Sequence, residues 1–337
     1  MIGILLIQLG TPDSPTPRAL RRFLREFLMD PRVIDIPSFF RFLLVQGLVV
    51  PFRSSKSAQA YASVWSDRGS PLRMHTEDLA LGLSENFKSR APIEIGMRYG
   101  SPSIADAWKR LKAKGVSHVM IAPLYPQYAS ASTGSSLEEA TRVLSEEWCI
   151  PKISTLAPFY ERKEFIEAFA SGVDSDRLKS CDHFLMSFHG VPERHILKGD
   201  PEGSCCLKSE DCCRVENSVN MNCYRRQCIK TAEALSERLG IPRSKWTLCF
   251  QSRLGRTPWL KPYTDLVLGD LAQKGVKRLG VFSPSFVADC LETLEELGIR
   301  AKSDFKSFGG DDLILFPCPN ASRTWVSGLT RLLEEAI

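Results

Sequence analysis

The segment Ile2 to Leu9 is apolar at every position except Gln8 and never alternates between apolar and polar residues. Successive side chains of a strand point to opposite faces, so a strand that is greasy on both must be covered on both. It fits the centre of a parallel sheet with helices on each side. The punctuation that follows agrees. Gly10-Thr11-Pro12 ends the strand, and Thr16 caps a helix with Pro17 in its first turn. Leu20, Phe23, Leu24, Phe27 and Leu28 then form one apolar stripe until Asp30-Pro31 stops it. Ile93 to Tyr99 reads as a further strand, and Ser103 caps a helix carrying Ile104, Trp108 and Leu111.

One unit recurs. Lys114-Gly115-Val116 closes a helix and opens a strand that ends at Pro123. Lys274-Gly275-Val276 closes a helix over Thr264 to Gln273 and leads to a strand, Leu279 to Phe282, ending in Ser283-Pro284. The simplest meaning is two α/β domains of related topology, joined near residues 149–157. Ligands of such sheets sit beyond the carboxyl ends of the strands, often in a cleft between domains, so those ends are where chemistry is sought.

Composition narrows the function classes. Of 337 residues 43% are hydrophobic and 25% charged, and a formal charge of +5 spread along the chain gives no nucleic-acid footprint. Neither a Walker A motif nor a dinucleotide-type glycine fingerprint is present. No stretch reaches the roughly eighteen apolar residues of a membrane span. Phe39 to Pro51 comes nearest and is broken by Arg41 and Gln46, which leaves a buried helix or an apolar lip as its two readings. Eleven cysteines without an export signal point to thiols in a reducing compartment, hence the cytoplasm.

Three groups of side chains fall at strand ends. Strand Phe184 to Phe188 delivers His189-Gly190, where an imidazole can accept a proton or ligate a metal. The helix after Phe282 carries Asp289, Glu292 and Glu296 along one stripe, opposite Leu291, Leu294 and Leu297. A histidine facing a carboxylate ladder suits a divalent ion and proton removal. Arg98-Tyr99, Tyr125-Pro126-Gln127-Tyr128, Ser132 to Ser136 and Pro258-Trp259-Leu260 lie in loops after strands. Aromatics there would make a flat platform, with Arg98 and hydroxyls holding anionic groups at its edge. The plain alternative for each is ordinary loop or surface-helix packing.

Taken together, five segments resemble the ferrochelatase family, in family order and over nearly the whole chain. They are Leu9-Gly10-Thr11-Pro12-Asp13; Tyr125 to Tyr128 with Thr133 to Ser136; Ser187-Phe188-His189-Gly190-Val191-Pro192; Phe250-Gln251-Ser252-Arg253 with Pro258-Trp259-Leu260; and Ala288 to Glu296. The variants look most like those of Gram-negative bacterial members. The resemblance implies two similar Rossmann-like domains with parallel sheets flanked by helices, the active-site cleft lying between them. It divides the chain into residues 1–152, 153–320 and a C-terminal helix over 321–337. It implies insertion of ferrous iron into protoporphyrin IX to form protohaem, with coproporphyrin or another tetrapyrrole as the alternative substrate. A tetrapyrrole- or metal-binding protein without chemistry is the alternative of another class. His189 matches the family's proton acceptor or metal ligand, Glu292 its carboxylate partner at the metal, and Asp289 the next residue of an acidic path. Leu9, Tyr99, Trp259 and Phe286 match residues packing on the macrocycle, and Arg98 one near its edge. Residues 39–51 match a hydrophobic lip, which leaves peripheral contact with the inner face of the membrane open.

The chain departs from the family pattern in two places. Gln8 stands where bacterial members usually carry Asn. After Gly199-Asp200-Pro201 an insertion near residues 203–223 holds Cys205, Cys206, Cys212, Cys213 and Cys223, and Cys228 follows in the next helix. Some bacterial ferrochelatases bind a two-iron, two-sulfur cluster through such a segment, and this one looks similar. Four thiolates suffice and six are offered. A structural zinc site and redox-active thiols are the competing readings, although paired C-x2-C spacing is missing.

Overall fold

The computed structural model describes residues 1–337 apart from Glu210 and Arg256. The chain divides into two units. One comprises residues 1–125, 129–157 and 320–337, the other 126–128 and 158–319.

In the first unit β1 (Ile2–Thr11), β2 (Ile93–Gly100), β3 (His118–Pro123) and β4 (Lys152–Thr155) form a parallel sheet of order β2-β1-β3-β4. The lack of alternation in β1 is explained by what covers it. Leu5 and Ile7, with Val119 and Ile121 of β3, pack under the helices Ile104–Ala113 and Ser135–Ser145 through Ala107, Trp108, Leu111, Val143 and Leu144. Ile4 and Leu6, equally buried, face the other way. On that side the helices Pro71–Phe87 and Arg323–Ala336 approach the sheet, tied to each other by Asn86 donating to Thr330 at 3.0 Å. Each wholly buried aliphatic side chain contributes roughly 1.5–3 kcal/mol. A β1 with one polar face would forfeit one of the two layers.

The second unit repeats the plan. Strands β5 (His183–His189), β6 (Trp246–Gln251), β7 (Arg278–Phe282) and β8 (Asp312–Leu315) take the order β6-β5-β7-β8, again all parallel. The expected pair of similar α/β domains with parallel sheets flanked by helices is therefore present. The likeness reaches single hydrogen bonds. After Ile104–Ala113, Gly115 (φ +78°) donates to Lys112 O and Val116 to Leu111 O. After Thr264–Gln273, Gly275 (φ +87°) donates to Ala272 O and Val276 to Leu271 O. Both are helix ends of the Schellman type, in which a left-handed residue satisfies the last carbonyls, a conformation costly for any residue with a Cβ. The matching Lys-Gly-Val triplets in the sequence are these two turns.

Local signals hold elsewhere. Thr16 accepts from Ala19 N at 3.4 Å and Ser103 from Asp106 N at 3.1 Å, each opening the helix it was expected to cap. One element differs from expectation. The helix carrying Glu292 is not a 3.6-residue spiral through Asp289; it runs Glu292–Ala301 as a π-helix, with Asp289 outside it. A π-turn closes i→i+5 bonds and is an uncommon structure that recurs at functional sites.

Candidate active site

His189 sits at the carboxyl tip of β5, while Leu9 lies two residues before the end of β1. The backbone around it is held at three points. Its carbonyl accepts the Tyr224 hydroxyl at 2.8 Å, the following Gly190 N–H donates to Gln251 O at 2.8 Å, and His189 N–H donates to Ser285 Oγ at 3.0 Å. Gly190 is required by close approach, since a Cβ there would lie 2.8 Å from the Gln251 carbonyl oxygen. The imidazole Nδ1 lies 2.7 Å from the Gly190 carbonyl. A carbonyl oxygen only accepts, so Nδ1 carries the proton. The neutral ring therefore presents Nε2 as a lone pair, and its edge rests against Phe286 at 6.3 Å between centroids.

The π-helix brings carboxylates to the same strand end. Gln251 Nε2 donates to the Glu292 carbonyl at 2.9 Å, while Ser187, buried, donates to Gln251 Oε1 at 2.8 Å. Glu296 accepts the hydroxyl of Ser252. Burial, and then the negative charge of Glu292, push the Glu296 carboxyl above the usual range. Ser252, His189 and Arg300 pull it back without cancelling the rise. Ser252 holds a left-handed backbone (φ +65°), a conformation that costs a non-glycine residue about 1–3 kcal/mol and gathers at functional sites. Asp289, expected on the same ladder, is buried instead. Its Oδ1 accepts the Thr293 hydroxyl at 3.0 Å and the Cys318 N–H at 3.4 Å, which moors the chain before the π-helix.

Trp259 in the same unit is half-buried and donates its indole N–H to Leu254 O at 2.9 Å. Gln127 is buried, with its amide donating to Thr231 Oγ1 at 2.9 Å and Pro284 O at 3.1 Å. Its polar end is engaged within the protein rather than offered to a ligand.

In the first unit Leu9 and Tyr125 are half-buried, and a charged network that sequence reasoning missed is built around Asp30. Asp30 Oδ2 accepts Arg98 Nη2 at 2.6 Å, the Tyr99 hydroxyl at 2.8 Å and Ser135 Oγ at 2.5 Å, while Oδ1 accepts Arg32 N at 2.7 Å. Arg98 Nε donates to Ser135 Oγ at 2.7 Å. Tyr99 is wholly buried and Arg98 mostly so, which corrects their placement on an open platform: these side chains build the wall behind it. Burial alone would raise the Asp30 carboxyl. The hydrogen bonds from Ser135, Arg32 N–H and Tyr99, with the charge of Arg98, outweigh it and hold the carboxyl low. The residue that the sequence offered only as a helix stop is the anchor of this wall.

Residues 38–52 keep their aromatics outside. Phe39 is 66% exposed, Phe40 60% and Phe52 75%, while Val45 and Val50 are buried against Leu28. The segment is therefore not a helix buried throughout. No helix among the described residues is long and apolar enough to cross a membrane.

The insertion folds around its cysteines. Asp200 accepts the N–H groups of Cys205 and Cys206, both at 2.7 Å. Cys223 is the residue before the helix Tyr224–Arg238. Its thiol receives hydrogen bonds from Cys213, from the N–H groups of Arg226 and Arg225, and from Cys206. Against the effect of burial these bonds bring the pKa of its thiol down to about 6, so it ionises more readily than a free thiol. Cys212 and Cys213 Sγ are 3.8 Å apart, each 3.5 Å from Arg225 Nη1. Cys205 Sγ accepts from Asn217 at 3.4 Å. Cys228 is wholly buried, and burial first of all drives its thiol up. Among the described residues no three His, Cys, Asp or Glu side chains are set as a metal-holding group. The thiols form a hydrogen-bonded cluster.

Comparison with known proteins adds the family. The family model described as ferrochelatase matches residues 1–337. The ferrochelatase of Stutzerimonas stutzeri is 45% identical over 335 residues, spanning 99% of this chain and 98% of that protein. That of Legionella pneumophila (strain Paris) is 45% identical, spanning 99% of each. Among solved structures, SirB from Bacillus subtilis with Fe3+ aligns with a TM-score of 0.54 at 15% identity. The alignment covers 99% of this chain and 95% of that one, a likeness of fold alone.

The Asp30 network has a pH signature. A carboxyl held low in the folded state stabilises above its unfolded value of about 4 and loses that contribution as pH falls through the folded value. Asp30→Asn should cost about 3–5 kcal/mol at pH 7 by stranding Arg98. Its melting temperature should then fall less steeply than that of the wild type between about pH 5 and pH 2. Parallel melting curves against pH would contradict this.

Proposed function

The chain belongs to the ferrochelatase family, and from that membership we propose how its residues insert ferrous iron into protoporphyrin IX. Insertion exchanges two pyrrole N–H protons for one Fe2+, so the ring stays neutral only if both protons find acceptors. His189 takes a proton at Nε2, the one ring nitrogen left with a lone pair once Nδ1 donates to Gly190. Glu292 offers hard oxygen to the incoming ion. Glu296, whose carboxyl ionises less readily than an ordinary glutamate, passes protons onward. The observation that carries this reading is the Gly190 carbonyl 2.7 Å from His189 Nδ1, which leaves Nε2 as the accepting nitrogen, at a strand end where the carboxyls of Glu292 and Glu296 repel each other. Phe286, Trp259 and Leu9 supply apolar surface for the macrocycle. Arg98, facing inward, shapes the wall more than it binds a propionate.

The cysteine segment supports a further part of the reading. Four thiolates drawn from Cys205, Cys206, Cys212, Cys213 and Cys223 would hold a two-iron, two-sulfur cluster. The helix N-terminus at Cys223 and the Arg225 guanidinium favour thiolate charge there. Such a cluster supplies one-electron chemistry that iron insertion does not use, so its part here is structural or regulatory.

Two measurements test these readings. Anaerobic loss of protoporphyrin IX fluorescence on adding ferrous iron should be rapid in the wild type. It should be slower by about 10²-fold or more in His189→Ala and Glu292→Gln, with porphyrin still bound. Undiminished rates in either variant would overturn its assigned role, and a wild type inert toward protoporphyrin but active on coproporphyrin would move the substrate. Visible absorption of the purified protein should show sulfur-to-iron bands that vanish in Cys206→Ser/Cys213→Ser. A colourless wild type with no bound iron or sulfide would remove the cluster.

A further inference from the structure

The Tyr224 hydroxyl joins two regions that the reaction itself does not require to be joined. It donates to the carbonyl of His189 at 2.8 Å, and the Tyr224 side chain is buried. Tyr224 is also the first residue of the helix Tyr224–Arg238. The residue before it is Cys223, whose thiol is the acceptor at the centre of the cysteine cluster and whose carbonyl takes the first helical bond, from Gln227 N at 3.0 Å. The backbone of the cysteine segment therefore passes, with no intervening residue, into the side chain that fixes the His189 peptide.

That peptide matters to the ring. Its carbonyl is held by Tyr224 and its N–H, on Gly190, by Gln251, while the next carbonyl, that of Gly190, receives His189 Nδ1–H. Losing the Tyr224 bond lets this peptide rotate and carries with it the acceptor that fixes the tautomer. It also strands the His189 carbonyl, and a buried acceptor without a partner drives local rearrangement. We propose that Tyr224 is a positioning residue for His189, and that through it the order of the cysteine-rich segment sets the turnover rate of iron insertion. The proposal rests on His189 being the proton acceptor.

The test is a double-mutant cycle on the purified full-length protein: wild type, Tyr224→Phe, Cys206→Ser/Cys213→Ser and the combined variant. Phenylalanine fills the same space without the hydroxyl. Tyr224→Phe should lower kcat about tenfold, the scale expected for misplacing a catalytic group by a fraction of an ångström, with KM for porphyrin nearly unchanged. The cysteine pair should lower kcat in the wild-type background and add little in the Tyr224→Phe background. Losses that multiply, a kcat in Tyr224→Phe equal to that of the wild type, or a loss appearing in KM alone would each overturn the proposal. Amide exchange at His189 and Gly190, followed by mass spectrometry, decides the positioning claim even if the wild type proves inactive. It should accelerate in Tyr224→Phe and in the cysteine variant alike, and unchanged protection in both would overturn it. If the cysteine pair does not fold, Cys206→Ser alone takes its place in the cycle.

Discussion

A parallel strand buried on both faces can expose chemistry only at its carboxyl end, and the whole molecule is arranged around that limit. β1 and β5 are buried along most of their length; β5 ends on His189, and Leu9 lies two residues before the end of β1. The glycine that follows each lets the backbone press against the neighbouring strand's carbonyl. Two copies of one frame thus present two kinds of surface. The first supplies an apolar residue backed by the wall of Arg98, Tyr99 and Asp30. The second supplies an imidazole beside paired carboxylates.

Electrostatics then differ between the units for a physical reason. In the first, opposite charges are brought together: Asp30 receives a guanidinium, a phenol, a hydroxyl and a backbone N–H, and its charge is satisfied. Such a group stabilises and has no reason to exchange a proton near neutrality. In the second, like charges are brought together at Glu292 and Glu296 with burial added, and that combination raises the Glu296 carboxyl above its ordinary range. The left-handed Ser252 and the π-helix are local costs borne beside these carboxyls.

Much of the frame was legible because it is written in local rules. Unbroken hydrophobicity in Ile2 to Leu9, the caps at Thr16 and Ser103 and the twin Lys-Gly-Val turns each act within a few residues. His189 was expected at a strand end and closes β5, and Glu292 was expected on the helix after β7 and opens it. What stayed hidden depends on partners far along the chain. Asp30 meets Tyr99 across 69 residues and Ser135 across 105, so a residue that looks like a helix stop becomes an anchor. For the same reason Tyr99 and Gln127, read as open loop residues, turn their polar ends inward. The π-helix was read as an ordinary amphipathic helix because no local propensity distinguishes the two. Tyr224 was missed because the cysteine insertion separates it from the histidine it holds.

The account turns on which nitrogen of His189 carries the proton in the neutral enzyme. Nitrogen-15 NMR of protein labelled at histidine, with His189 assigned by loss of its signals in His189→Ala, reads this directly. The Gly190 carbonyl predicts the Nδ1–H form, leaving Nε2 as the unprotonated nitrogen available to a pyrrole proton. A neutral His189 protonated at Nε2 would contradict it, because the free nitrogen would then face its own backbone and the proton acceptor would have to be sought among the carboxylates.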